Sequence, residues 1–139
     1  MTLDVSQKVD VTADVAFDAM ADARNEVHWN SKVSRSDLVG NEPIQQGTRF
    51  QTVNRGQTYD ATITEYERPS RLTFEVTGKQ MDIITTFTFS DGADSTVLGG
   101  DFDFRPKGLL KAIFPLMRPM IRGDLPKQMA SFAKFCTKG

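Results

Sequence analysis

The chain has 139 residues, 39% hydrophobic and 25% charged, with a net charge of −1, which is enough for one core without staples and too apolar for disorder. One cysteine (Cys136) and one histidine (His28) exclude an internal disulfide and any cluster at zinc-finger or catalytic-zinc spacing, so no metal and no cofactor is expected. Residues 1–105 hold 10 basic and 17 acidic side chains and residues 106–139 hold 7 and 1, a cationic C-terminal quarter that reads as a solvated helix face or as a weak contact with an anionic membrane surface.

The opening segment, MTLDVSQKVDV, lacks the basic start and apolar stretch of a secretion signal. No apolar run nears the ~18 residues that cross a bilayer, and a cytoplasmic protein is expected. Within that segment residues 3–11 alternate apolar and polar, as a strand with one buried face does. Thr12 offers an N-cap for a short helix over ADVAFDAMAD, with Ala16, Phe17, Met20 and Ala21 on its core side. A second helical turn, about 23–29, ends in the polar run Asn30-Ser31-Lys32.

From Val33 the apolar period changes from helical to alternating. The spacing predicts strands over 33–39, 47–54, 57–67, 71–77, 81–90 and 95–104, separated by turn-forming residues and paired in sequence as an antiparallel meander. Alternation turns Leu72, Phe74, Val76, Met81, Ile83, Thr85, Phe87, Phe89, Leu98, Gly100, Phe102 and Phe104 to one face. Gly99-Gly100 predicts a bulge or sharp bend that curls the sheet. Leu110, Phe114, Met117, Ile121, Leu125, Met129, Phe132 and Cys136 then recur at helical spacing, an apolar face suited to the palm of a curled sheet. Pro115, Pro119 and Pro126 predict a short helix near 107–113 followed by a bent one.

This order of elements resembles the helix-grip superfamily: START domains, birch-pollen-allergen-like proteins and the polyketide cyclase/dehydrase family, with a looser likeness to coenzyme Q-binding proteins. The likeness is carried by VDVTADVAFDAMADARNEVHWN (9–30), by Gly47-Thr48-Arg49-Phe50 and by ITEYERPSRLTFEVTG (63–78). It implies one α+β domain over 1–139: a curved antiparallel sheet of about seven strands around a long C-terminal helix, with two short helices after the first strand. Members include lipid carriers, receptors, cyclases, oxygenase subunits and chaperone activators, so the resemblance implies a pocket and no single activity. Rieske-type cysteine and histidine ligands are missing here, which removes iron–sulfur chemistry.

The expected ligand-binding residues are Trp29, Phe50, Tyr59, Phe74, Ile83, Thr85, Phe87, Phe102, Met117 and Ile121. For catalysis the candidates are His28, Tyr59 and Arg35, with Arg49 a further strand arginine able to meet an anionic group. His28 and Trp29 sit at the end of the second helical turn, which in similar proteins lies near the cavity mouth. Asp101 and Asp103 alternate with Phe102 and Phe104 and so point outward, and Cys136 is expected to be buried and inert. With no phosphate loop, Ser-His-Asp set or RNA-binding sheet motif, nucleotide-dependent chemistry and nucleic-acid binding are disfavoured. Three readings follow. The first is binding or transport of a hydrophobic small molecule such as a lipid, isoprenoid or polyketide. The second is a cyclase/dehydratase-like enzyme acting on a carbonyl substrate, and the third an interaction module whose ten phenylalanines fill the palm.

Overall fold

The structure is a computed structural model and describes residues 1–138. Strand β1 (Thr2–Val9) is followed by helix α1 (Ala13–Ala21), a 3-10 turn (Ala23–Asn25) and the one-turn helix α2 (Glu26–Trp29). The meander comprises β2 (Val33–Val39), β3 (Arg49–Asn54), β4 (Gln57–Glu67), β5 (Arg71–Thr77), β6 (Met81–Asp91) and β7 (Thr96–Pro106), and helix α3 (Leu109–Thr137) closes the chain. The strands form one seven-stranded antiparallel sheet in the order β1-β7-β6-β5-β4-β3-β2. This is the helix-grip arrangement.

Period-2 patterning decides which face is buried. Phe74, Met81, Thr85, Phe87, Phe102 and Phe104 are all buried, and Ile83 and Val76 partly so. Asp101 and Asp103 lie on the opposite parity, with Asp101 exposed. On α1, Ala16, Phe17, Met20 and Ala21 are buried, and Phe17 packs edge-on against Tyr66 and Phe89 at 5.1 and 5.3 Å. Thr12 takes the N-cap position, but its hydroxyl donates to the Asp14 carboxylate and caps no backbone N–H.

Two expectations are corrected. Gly99-Gly100 forms no bulge: β7 pairs without interruption with β6 and β1, and the register shifts lie in β4, between Ile63 and Glu65, and in β2, between Val33 and Arg35. The glycines instead permit close approach. A Cβ on Gly100 would sit 2.9 Å from the Phe102 ring and 3.1 Å from Val5, and one on Gly99 would sit 2.6 Å from the Thr88 hydroxyl.

The short helix near 107–113 is not separate either, since α3 runs unbroken from Leu109 through Pro115, Pro119 and Pro126. Each proline removes one donor, freeing the carbonyls of Lys111, Pro115 and Arg122 four residues back. All three of those residues are exposed, where a freed carbonyl is open to hydration at lower cost than in the core. Only Phe114 is buried in the first half of α3, whereas Leu125, Met129 and Phe132 anchor the second half.

Candidate functional site

Between the concave face of the sheet and α3 lies a cavity of about 310 Å³. The phenylalanines therefore leave the palm open. Phe74, Phe87, Phe102 and Phe104 supply the aromatic wall, with Ile83 and Thr85 between them. Across from them α3 contributes Leu110, Met117, Ile121, Leu125 and Met129, and α2 contributes Trp29, whose ring meets Phe132 edge-on at 5.3 Å. These walls are predominantly apolar, so the space favours an apolar occupant.

Nine of the ten expected ligand-binding residues line this cavity: Trp29, Tyr59, Phe74, Ile83, Thr85, Phe87, Phe102, Met117 and Ile121. The tenth, Phe50, is fully buried behind the wall and packs on Phe74 with ring centroids 6.4 Å apart. Among the three acid–base candidates only Tyr59 reaches the cavity, and burial pushes its phenol pKa up. His28 points away: it is exposed and stacks on Phe135 at the far end of α3, with ring centroids 5.9 Å apart. Arg35 sits on the outer face of β2 and pairs with Asp37 at 2.6 Å, since inward Ser36 forces both neighbours out. Arg49 is likewise exposed. Cys136 is half-buried, and burial pushes its thiol up to about 11, so it stays protonated at neutral pH.

The polar group that the sequence reading missed is Glu26. Its position in α2 turns it inward beside Trp29 and Asn30, three and four residues on, and all three line the cavity. Burial pushes the carboxyl up to about 7, opposed by a hydrogen bond that Asn30 Nδ2 donates to Glu26 Oε2 at 3.3 Å. The available signal was helical spacing: Glu26, Trp29 and Asn30 share one face of a turn whose apolar member is plainly a core residue.

The mouth is polar. Asn54, Arg55 and Gln57 from the β3–β4 hairpin face Asp124 and Gln128 of α3. Arg55 Nη2 donates to Asp124 Oδ2 at 2.7 Å and ties the hairpin to the helix. Arg55 and Gly56 both have positive φ, 51° and 78°, as the two central residues of a tight hairpin of this kind require. Among the described residues no three His, Cys, Asp or Glu side chains gather as a metal site would need.

A curved antiparallel sheet gripping a long C-terminal helix around an apolar cavity places the protein in the START-like, or SRPBCC, class. The chain belongs to the polyketide cyclase/dehydrase and lipid transport family, whose model matches residues 1–136. Among solved structures, protein TTHA0849 of Thermus thermophilus superposes with a TM-score of 0.78 at 10% identity, over 98% of this chain and 97% of that one. A START superfamily protein of Mycobacterium smegmatis gives a TM-score of 0.70 at 15% identity, over 96% and 92%. The di-domain ARO/CYC BexL of the BE-7585A biosynthetic pathway gives 0.70 at 13% identity, over 99% of this chain and 49% of BexL. Likeness at these identities shows the fold alone. A comparison with curated proteins gives no significant match.

Proposed function

We propose that the protein binds and carries a hydrophobic small molecule in the cavity between the sheet and α3. The observation that carries this reading is a cavity of about 310 Å³ with predominantly apolar walls, at the lower end of the range for small-molecule sites. A small isoprenoid, short-chain lipid or compact polyketide is of suitable size. In this reading the protein acts as one domain in the cytoplasm, without cofactor or nucleic acid, and its basic C-terminal helix makes at most weak contact with anionic membranes.

Native mass spectrometry of the protein as purified, followed by denaturing extraction, tests the proposal. A stoichiometric apolar adduct is the expected result. An apo mass that also shows no uptake from a panel of apolar compounds would overturn it.

A second reading, a cyclase- or dehydratase-like enzyme acting on a carbonyl compound, is favoured by Glu26 and Tyr59 lining the same cavity, where a neutral carboxyl and a phenol are both suited to polarising a carbonyl. Recovery of a bound compound chemically unchanged after long incubation supports carriage. Conversion that is lost in Glu26→Gln or Tyr59→Phe supports catalysis.

A further inference from the structure

The cavity has a polar pole where α2 meets β2 and β3. Glu26 and Asn30 line it from α2, and Thr52 lines it from β3 with its hydroxyl 3.3 Å from that of Ser36 on β2. The orientation of the Asn30 amide is fixed from outside: its Oδ1 accepts the Lys32 backbone N–H at 3.1 Å, so its nitrogen must be the atom that faces Glu26. Glu26 Oε2 is thereby assigned as the acceptor from Asn30. Oε1 is the oxygen left to carry the proton, and on a residue that lines the cavity a protonated carboxyl can donate to an occupant.

Charge reinforces that asymmetry. Among the described residues the cavity lining contains one cation, Arg55, and it is already bonded to Asp124. A ligand carboxylate or phosphate entering this space would find no free counter-charge, and desolvating it unpaired is costly.

We infer that the Glu26–Asn30 pair is a head-group selector: it admits apolar ligands whose polar group is an uncharged oxygen acceptor, a ketone or ester carbonyl, seated on Glu26 Oε1–H, and rejects carboxylates and phosphates of the same chain length. This rests on the cavity-binding reading above. Binding is proton-linked, because the donor exists only in the neutral acid and a seated ligand buries the carboxyl further.

Few other ionisable groups face Glu26. The turn before α2 brings Asp22 and Arg24, bonded to each other at 2.9 Å. On the elements packed against α2, the Arg35–Asp37 pair lies on the outer face of β2, and on α3 Lys134 is exposed and Cys136 is half-buried and protonated. His28 and Lys32 lie beside the turn on its outer side, and Tyr59 and the Arg55–Asp124 pair complete the cavity's ionisable lining.

Calorimetric titration of the whole chain with decane, methyl decanoate and decanoate, at about pH 6 and about pH 8.5, tests the inference. At the lower pH the ester should bind about tenfold more tightly than decane, the worth of one buried hydrogen bond. This advantage should shrink about tenfold at the higher pH, and decanoate should not bind there. In Glu26→Gln the side-chain amide replaces the O–H donor at every pH, so the ester keeps its advantage while the pH dependence disappears, an outcome that a merely structural Glu26 would not produce. Should the variant not fold, the pH series of the parent decides alone. If decane binds and the ester gains nothing over it, or decanoate binds as well as the ester, the selector is overturned and the cavity reading stands. If neither decane nor ester enters, both fall.

Discussion

Burial makes Glu26 a pH-dependent cost to folding. Its carboxyl stands at about 7 in the folded chain against an ordinary value of 4.5. Between those values the unfolded chain has lost the proton and the folded chain retains it, so the folded state is favoured at low pH and loses ground as pH rises toward 7. Glutamine at this position removes that slope. The stability of Glu26→Gln relative to the parent should therefore improve by about 2–3 kcal/mol between about pH 4 and about pH 8, read from urea unfolding at both; a difference independent of pH would show an ordinary carboxyl. Tyr59 was legible in the sequence, because its parity with Ala61 and Ile63 turned it inward. Glu26 was hidden because a glutamate in a polar one-turn helix reads as solvated, and only the walls around it show otherwise.

At the scale of elements, alternation exposed β5, β6 and β7 to sequence reading because each buries one face. What it could not show was the use made of glycine and proline. Gly100 makes room for the Phe102 ring rather than inserting a bulge, and that depends on a neighbour two residues away folding back over the backbone. The prolines of α3 free carbonyls that belong to exposed residues, a fact of burial and not of pattern.

Helix α3 is thus two unlike halves. Leu109 and Leu116 are 90% and 83% exposed, and Ile113 lies on the same outer stripe, whereas Phe132 is fully buried. Leu116→Gln should change stability by no more than about 0.5 kcal/mol, and Phe132→Ala should cost about 3–5 kcal/mol. Chemical denaturation of both variants checks this, and comparable losses would show that the first half is packed as tightly as the second.

Across the whole molecule charge is divided, with one acidic side chain among residues 106–139 against seven basic ones. Lys111, Arg118 and Arg122 share one side of α3, about half a turn round from the stripe of Leu109, Ile113 and Leu116. A surface contact through those bases would be electrostatic and would not insert the leucines. Flotation with anionic vesicles should therefore show weak binding at low salt that fades with added salt, weakens in Lys111→Gln/Arg118→Gln and is unchanged in Leu116→Gln; salt-independent binding would oppose it.

The topology also sets the order in which the chain can fold. β1 pairs only with β7, Thr2 opposite Asp103 and Val9 opposite Thr96, so the first strand made is the last to find its place in the sheet. During synthesis it must wait, with its backbone unpaired, until about a hundred residues more have emerged. Long-range pairing of this kind slows folding toward milliseconds to seconds. Its two charged side chains, the exposed Asp4 and Lys8, disfavour pairing of that waiting edge with another nascent chain.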